Sequence, residues 1–320
     1  YVMPSYVALH QANLNLQGQA HTLCDQVSQQ TLQDIQPYFS EALQALAYSQ
    51  AIDGGPMQGQ LRNFHLYFWP DRTNLVSKQL AQLLSEADVN VLEEQGLSDA
   101  SVALTGYTAL ERLLYTPSYR QLMIEHQQSF ACQYIVAVSD NLVRLTAEIT
   151  DAWQTSWYQQ LLKPGNSNSM FKTKAHQVSF VFSNIDVLLS KIITKKLAKP
   201  LASSATTAKP KRFESWRSGH TLLMLKANVR ALTDSLNLIL KPALVKAGEA
   251  LLWAQIENDL SLIEQQLDLL PTPLVAHLNE PQHWQATQQL QTQFIQLQTR
   301  LKQIHPRINV QLGFNAYDGD

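Results

Sequence analysis

The sequence predicts an all-α fold built as two helical bundles. Apolar residues recur at steps of three and four in Ile135, Val138, Leu142, Leu145 and Ile149, in Leu225, Val229, Leu232, Leu236 and Ile239, and in Leu290, Phe294, Leu297, Leu301 and Ile304. Each set lines one face of a helix. Only 11 glycines occur in 320 residues, too little turn chemistry for an all-β chain. A run of helix breakers, Lys163-Pro164-Gly165-Asn166-Ser167-Asn168-Ser169, interrupts the pattern near the middle. It predicts an N-terminal bundle over 1–165 and a C-terminal bundle over 166–320.

Taken in order, the spacing predicts helices over about 6–24, 31–50, 72–86, 99–115, 118–162, 173–198, 214–240, 243–270 and 282–304. The third follows Trp69-Pro70-Asp71, where the Asp71 carboxylate can cap the helix start while Phe68 and Trp69 pack as anchors. Tyr119 to Leu162 holds neither Gly nor Pro, so it reads as one long helix or two meeting at a kink. The stretch from Lys199-Pro200 to Lys209-Pro210, rich in Ala, Ser and Thr, reads as a loop of the second bundle. Leu252, Ile256, Leu260, Ile263, Leu267 and Leu270 give a further stripe, and the three prolines between Leu267 and Pro281 link it to the last helix.

Composition narrows the function. With 45% hydrophobic and 16% charged residues the chain suits a compact fold with well-buried cores. A net charge of −2 supplies no basic field, so no nucleic-acid partner is expected. No uninterrupted apolar stretch reaches the roughly 18–20 residues that cross a bilayer, so no transmembrane segment is expected. Two cysteines, Cys24 and Cys132, are too few for a metal cluster. They are either two buried small hydrophobes or one bridge closing a loop of about a hundred residues.

Several segments carry a resemblance together: Gly55-Pro56, Arg62-Asn63-Phe64-His65-Leu66-Tyr67-Phe68-Trp69-Pro70-Asp71, Gly106-Tyr107-Thr108-Ala109-Leu110-Glu111, Glu214-Ser215-Trp216-Arg217-Ser218, and the tail Leu312 to Asp320. The set resembles the imelysin-like family of bacteria, from about residue 20 to the end. The resemblance implies an all-helical protein of the periplasm or of the membrane surface facing it, its signal peptide removed, acting with other envelope proteins of iron uptake. It also implies a polar cleft at the junction of two bundles. The family is named for a proposed metallopeptidase activity, and its central pattern is Gly-x-His-x-x-Glu. Here Gly106 and Glu111 match while Thr108 replaces the histidine. His and Glu three residues apart share a helix face and can hold one cation; threonine keeps the helix, but its hydroxyl is a poor transition-metal ligand.

The resemblance places Arg62, Tyr67, Thr108, Glu111, Arg217, Ser218, Asn315 and Asp318 at that cleft, with Glu111 the one metal ligand of the central helix. Each has a structural explanation as well. Glu111 lies on a helix with an apolar face and would form an internal salt bridge with Arg62 or Arg217. Arg62 and Tyr67 are equally suited to holding a carboxylate or to packing. The tail would ordinarily be a solvated end, whereas the resemblance folds it back onto the central helix. The nine histidines form no His-x-x-x-His pair and no short ligand spacing, so no zinc-peptidase signature is present. His65 and His220 are candidates to replace the missing ligand in space. Lys195, Lys196, Lys199, Lys209, Lys211 and Arg212 read as a solvated basic cluster. The expected function is therefore binding, with iron or another divalent cation held weakly and no catalytic residue assigned. A metallopeptidase using Glu111 with replacement ligands is the alternative, and a structural or partner-binding module the third.

Overall fold

The computed structural model describes residues 1–127, 129–165 and 169–304, and among them every regular element is helical. The main helices are α1 (Val2–Asp25), α2 (Gln29–Ser49), α3 (Leu75–Glu86), α4 (Tyr107–Tyr115), α5 (Pro117–Glu125), α6 (Phe130–Ala152), α7 (Lys174–Lys191), α8 (Thr221–Ser235), α9 (Ala250–Asp268) and α10 (Pro281–Lys302). Three of them run on through a widened π turn, at Trp153–Trp157 after α6, Ile192–Leu197 after α7 and Leu236–Leu240 after α8.

Contacts gather the chain into two compact units. The N-terminal unit holds Met3–Leu46 and Gly55–Trp153; the C-terminal unit holds Tyr1–Val2, Ala47–Gly54 and the chain from Gln154 onward. The change after Trp153 precedes the breaker run at Lys163, and the segment Ala47–Gly54 belongs with the later unit, a crossing that a single boundary at 165/166 does not contain.

The N-terminal unit buries Leu9, Leu16 and Leu23 of α1, Leu32, Phe39 and Leu43 of α2, Leu110, Leu113 and Leu114 of α4 and Ile135, Val138 and Leu142 of α6. At about 25 cal/mol per Å2 of apolar area removed from water, these stripes are the main source of its stability. A Cys24–Cys132 disulfide ties the end of α1 to α6, with the two Cα atoms 5.6 Å apart. In the C-terminal unit the corresponding stripes are Leu188, Leu189 and Ile192, then Leu225, Val229 and Leu232, then Ile256, Leu260 and Ile263, then Leu290, Phe294 and Leu297.

The stretch 118–162 takes the two-helix alternative, parting after Glu125, where the Gln127 amide donates to Val27 O at 2.7 Å and accepts from Val27 N at 3.0 Å. Three expected helix limits move, each for a physical reason. The helix expected from 99 begins only at Tyr107, since Gly106 is extended. The one expected from 214 begins at Thr221, because Ser215 (φ 48) and Gly219 (φ 74) hold left-handed turns. The helix expected from 72 begins at Leu75, where Asp71 accepts from Leu75 N at 2.7 Å and Val76 N at 3.1 Å as a cap.

One reading of charge is also corrected: Lys196 leaves the basic surface cluster, being 1% exposed. The helical run Lys174–Leu201 contains an 18-residue window of mean hydropathy 1.2, enough to cross a membrane by length and composition alone, although charged residues interrupt it. Its Leu188, Leu189, Ile192 and Leu197 are buried within the C-terminal unit.

Candidate functional site

In the N-terminal unit the two motif segments are locked together by one residue. A Cβ at Gly106 would lie 2.1 Å from Leu66 O and 2.3 Å from His65 O, so only glycine lets the start of α4 press against the backbone of the Arg62–Leu66 helix. The neighbours of that contact are polar and mutually bonded. Thr105 Oγ1 donates to His65 O at 3.0 Å and lies 3.1 Å from His65 Nδ1, while Asn141 Nδ2 donates to Thr105 O at 2.9 Å. Arg144 donates to Asn141 Oδ1 and to Glu148 Oε1, both at 2.6 Å, and Glu148 Oε2 in turn accepts from Arg62 Nε at 3.2 Å.

Arg62 therefore finds its carboxylate in Glu148, 3.1 Å away, rather than in Glu111. It also donates to Pro56 O and Gln60 Oε1, which fixes the guanidinium as a brace for the Gly55–Leu66 segment. Tyr67 is buried at the end of that segment.

Burial first, and then the charge of Arg144, hold His65 below the usual imidazole range, so it is neutral in the folded protein at neutral pH. The unfolded chain takes up this proton near pH 6.5 while the folded one resists it. His65 thus contributes stability above about pH 6.5 that is lost as pH falls through the window below it. His65→Gln is expected to flatten the fall in unfolding free energy between about pH 7.5 and about pH 5.5. Urea unfolding at both values checks this, and equal slopes in variant and parent would refute it. His220, also lowered by burial, has the same sign and remains in the variant.

Thr108 and Glu111 stand three residues apart on α4, and both are buried, at 9% and 5% exposure. Thr108 Oγ1 is shielded from solvent and has no hydrogen-bond partner among the described residues. A buried hydroxyl left unpaired costs about 1–3 kcal/mol, so this atom marks a place where a partner is wanted. One turn beyond Glu111, burial pushes the Tyr115 phenol upward; Ser40 opposes by hydrogen bonding, Glu111 adds to the rise and Arg120 opposes it. Arg120, on α5, has Nε and Nη2 buried without a hydrogen-bond partner among the described residues. The sequence analysis missed Tyr115 and Arg120. Their signal was present in the i, i+4 spacing of Glu111 and Tyr115 and in the short connection that returns α5 against α4.

The residues around Thr108 do not fit a transition-metal centre. They offer one carboxylate and one hydroxyl, with a fixed cationic guanidinium close enough for its charge to act on Tyr115.

The remaining expected residues lie elsewhere. Arg217 and Ser218 belong to the C-terminal unit, where the Arg217 guanidinium stacks 4.1 Å from the Trp216 ring centroid and Ser218 Oγ donates to Ser215 O at 3.1 Å. Asn315 and Asp318, with the whole tail, lie outside the described residues. Next to Arg217 is a buried ionic group that the sequence analysis did not anticipate. Lys196 Nζ sits 2.6 Å from Glu214 Oε2, donates to Asn228 Oδ1 at 2.6 Å and to Gln50 Oε1 at 3.3 Å. Glu214 Oε1 has no hydrogen-bond partner among the described residues. Burial drives the Lys196 ammonium below its usual range and Glu214 resists. Burial raises the nearby Asp53 carboxyl against the charges of Lys191 and Lys196.

Comparison with known proteins adds the following. The profile of the Imelysin family, Peptidase M75, matches residues 2–301. An imelysin-like protein from Psychrobacter arcticum superposes with a TM-score of 0.82 at 18% identity, covering 98% of this chain and 93% of that one. A protein from Parabacteroides distasonis, provisionally named an iron-regulated protein A precursor, superposes with a TM-score of 0.75 at 14% identity, covering 96% and 92%. At these identities the likeness establishes the fold. A search of curated proteins finds no significant match.

Proposed function

This chain belongs to the imelysin family, and from that premise we propose that it is a binding protein of the bacterial cell envelope acting in iron uptake, with a degenerate central site. One observation carries the reading: on α4 the family's imidazole position is Thr108, whose buried hydroxyl lacks a hydrogen-bond partner among the described residues, beside the buried Glu111 carboxylate. Two further facts support it. One structural relative is named as iron-regulated, and a disulfide suits an oxidising compartment such as the periplasm. Other envelope proteins of iron uptake are its proposed partners.

The central site is expected to hold iron or zinc weakly, because one carboxylate from one helix is too few ligands for a stable transition-metal centre. Thr108→His should raise the affinity for zinc or ferrous iron at neutral pH by at least about tenfold, and adding Glu111→Ala should cancel the gain. Calorimetric titration of tag-free protein purified without chelator measures both. Stoichiometric metal lost with Glu111→Ala in the otherwise unmodified chain would count for the metallopeptidase instead. So would cleavage of an unfolded protein substrate that a chelator stops.

A further inference from the structure

The segment His277-Leu278-Asn279-Glu280-Pro281-Gln282-His283 presents two imidazoles and a carboxylate at steps of three. We propose that His277, Glu280 and His283 form a second, independent binding site for a divalent first-row transition-metal ion. It lies wholly in the C-terminal unit, uses no residue of the central site, and corrects the expectation that the histidines have no short ligand spacing.

The geometry is that of an assembled donor set. One ligand atom from each residue lies within 4.8 Å of the other two. His277 Nδ1 is 2.7 Å from Glu280 Oε1, His283 Nδ1 is 3.3 Å from Glu280 Oε2, and the two rings meet edge to face at 5.6 Å. Metal–ligand bonds of about 2.0–2.2 Å bring such atoms to separations of about 3–3.5 Å, a closure within reach of side-chain rotation. Glu280 occupies the N-cap position of α10 yet its side chain makes no capping bond. Its carboxylate turns to the imidazoles instead, and the His277 hydrogen bond holds its pKa below the usual range. His283 Nδ1 is shielded from solvent and makes no hydrogen bond among the described residues.

The backbone beneath is fixed. Glu280 N donates to His277 O, and His283 N and Trp284 N both donate to Glu280 O. Trp284 Nε1 donates to Leu201 O at 2.9 Å and Asn279 Nδ2 to Ala205 O at 3.2 Å, while Leu274 and Leu278 are fully buried. Because the backbone is ordered beforehand, binding spends little on arranging it. Two imidazoles with one carboxylate select zinc, copper, nickel or ferrous iron over calcium or magnesium, and leave positions open for water or a small anion. All three side chains reach solvent, so an ion can enter.

The test uses the full chain without affinity tag, stripped by chelator and dialysed, then titrated with zinc by calorimetry. His277→Ala and His283→Ala are each expected to lower zinc affinity by at least about tenfold, the scale set even by partners outside the coordination sphere. Glu280→Gln should do the same. Circular dichroism confirms that the variants, all at part-exposed positions, remain folded. The proposal is overturned if both histidine variants bind zinc within twofold of the parent, or if the parent binds none up to millimolar zinc. If the central-site titration fails while this one succeeds, only the reading of α4 is lost.

Discussion

Lys196→Ala is expected to destabilise the C-terminal unit by about 3–5 kcal/mol, because it strands the Glu214 carboxylate in a site that water does not reach. Both side chains are nearly inaccessible, at 1% and 2%, so solvent screening does not reduce the effect. The loss also orphans Asn228, whose Nδ2 donates to Ala47 O and Gln50 Oε1 while its Oδ1 accepts from the ammonium. The joint replacement Lys196→Met with Glu214→Leu should recover most of the loss. Taking two charges out of water costs several kcal/mol per ion, which the pair's attraction only offsets, and packed apolar groups of similar volume avoid that cost. Urea denaturation followed by far-ultraviolet circular dichroism measures all three proteins. A single variant within about 0.5 kcal/mol of the parent would show that the pair is not carrying structure.

The same residue explains what the sequence concealed. Ile185, Leu188, Leu189 and Ile192 form a buried stripe whose next position, four residues on, is 196. Phase placed Lys196 inside, but its charge and its neighbours Lys195 and Lys199 suggested a solvated surface. Its partners come from residues 50, 214 and 228, separations that no local pattern encodes. Helix existence was legible for the opposite reason, since a three-four stripe is local and repeats. What the sequence left open was set from outside the helix: the kink within 118–162 falls where Gln127 pairs with Val27, about a hundred positions away in sequence, and the backbone of residues 65–66 excludes any side chain at 106, before the later start of α4. At the central site Thr108 and Glu111 were singled out by the resemblance to Gly-x-His-x-x-Glu, and spacing adds only that they share a helix face. For Arg62 both holding a carboxylate and packing were open; it pairs with Glu148, which shares no motif with it. His277, Glu280 and His283 follow one another at steps of three, a local pattern that the reading of no His-x-x-x-His pair and no short ligand spacing did not count.

Replacing Cys24 and Cys132 together by alanine is expected to cost the N-terminal unit about 2–5 kcal/mol, with the long loop placing it toward the upper end. The bridge joins positions 108 residues apart, and closing a loop of about that length removes roughly 4–5 kcal/mol of chain entropy from the unfolded state. The native helices lose little by comparison, because Leu23 and Ile135, adjoining the two cysteines, stay buried against their own neighbours. The effect therefore acts through the unfolded ensemble, and folding of the variant should slow more than its unfolding speeds up if α1 and α6 meet early. Mass analysis comes first: parent protein unfolded without reductant should take up no alkylating reagent, and two labels after reduction. Two labels before reduction would remove the bridge and this prediction with it. Given the bridge, a variant whose urea midpoint and slope both match those of the parent would show that α1 and α6 are held by packing alone.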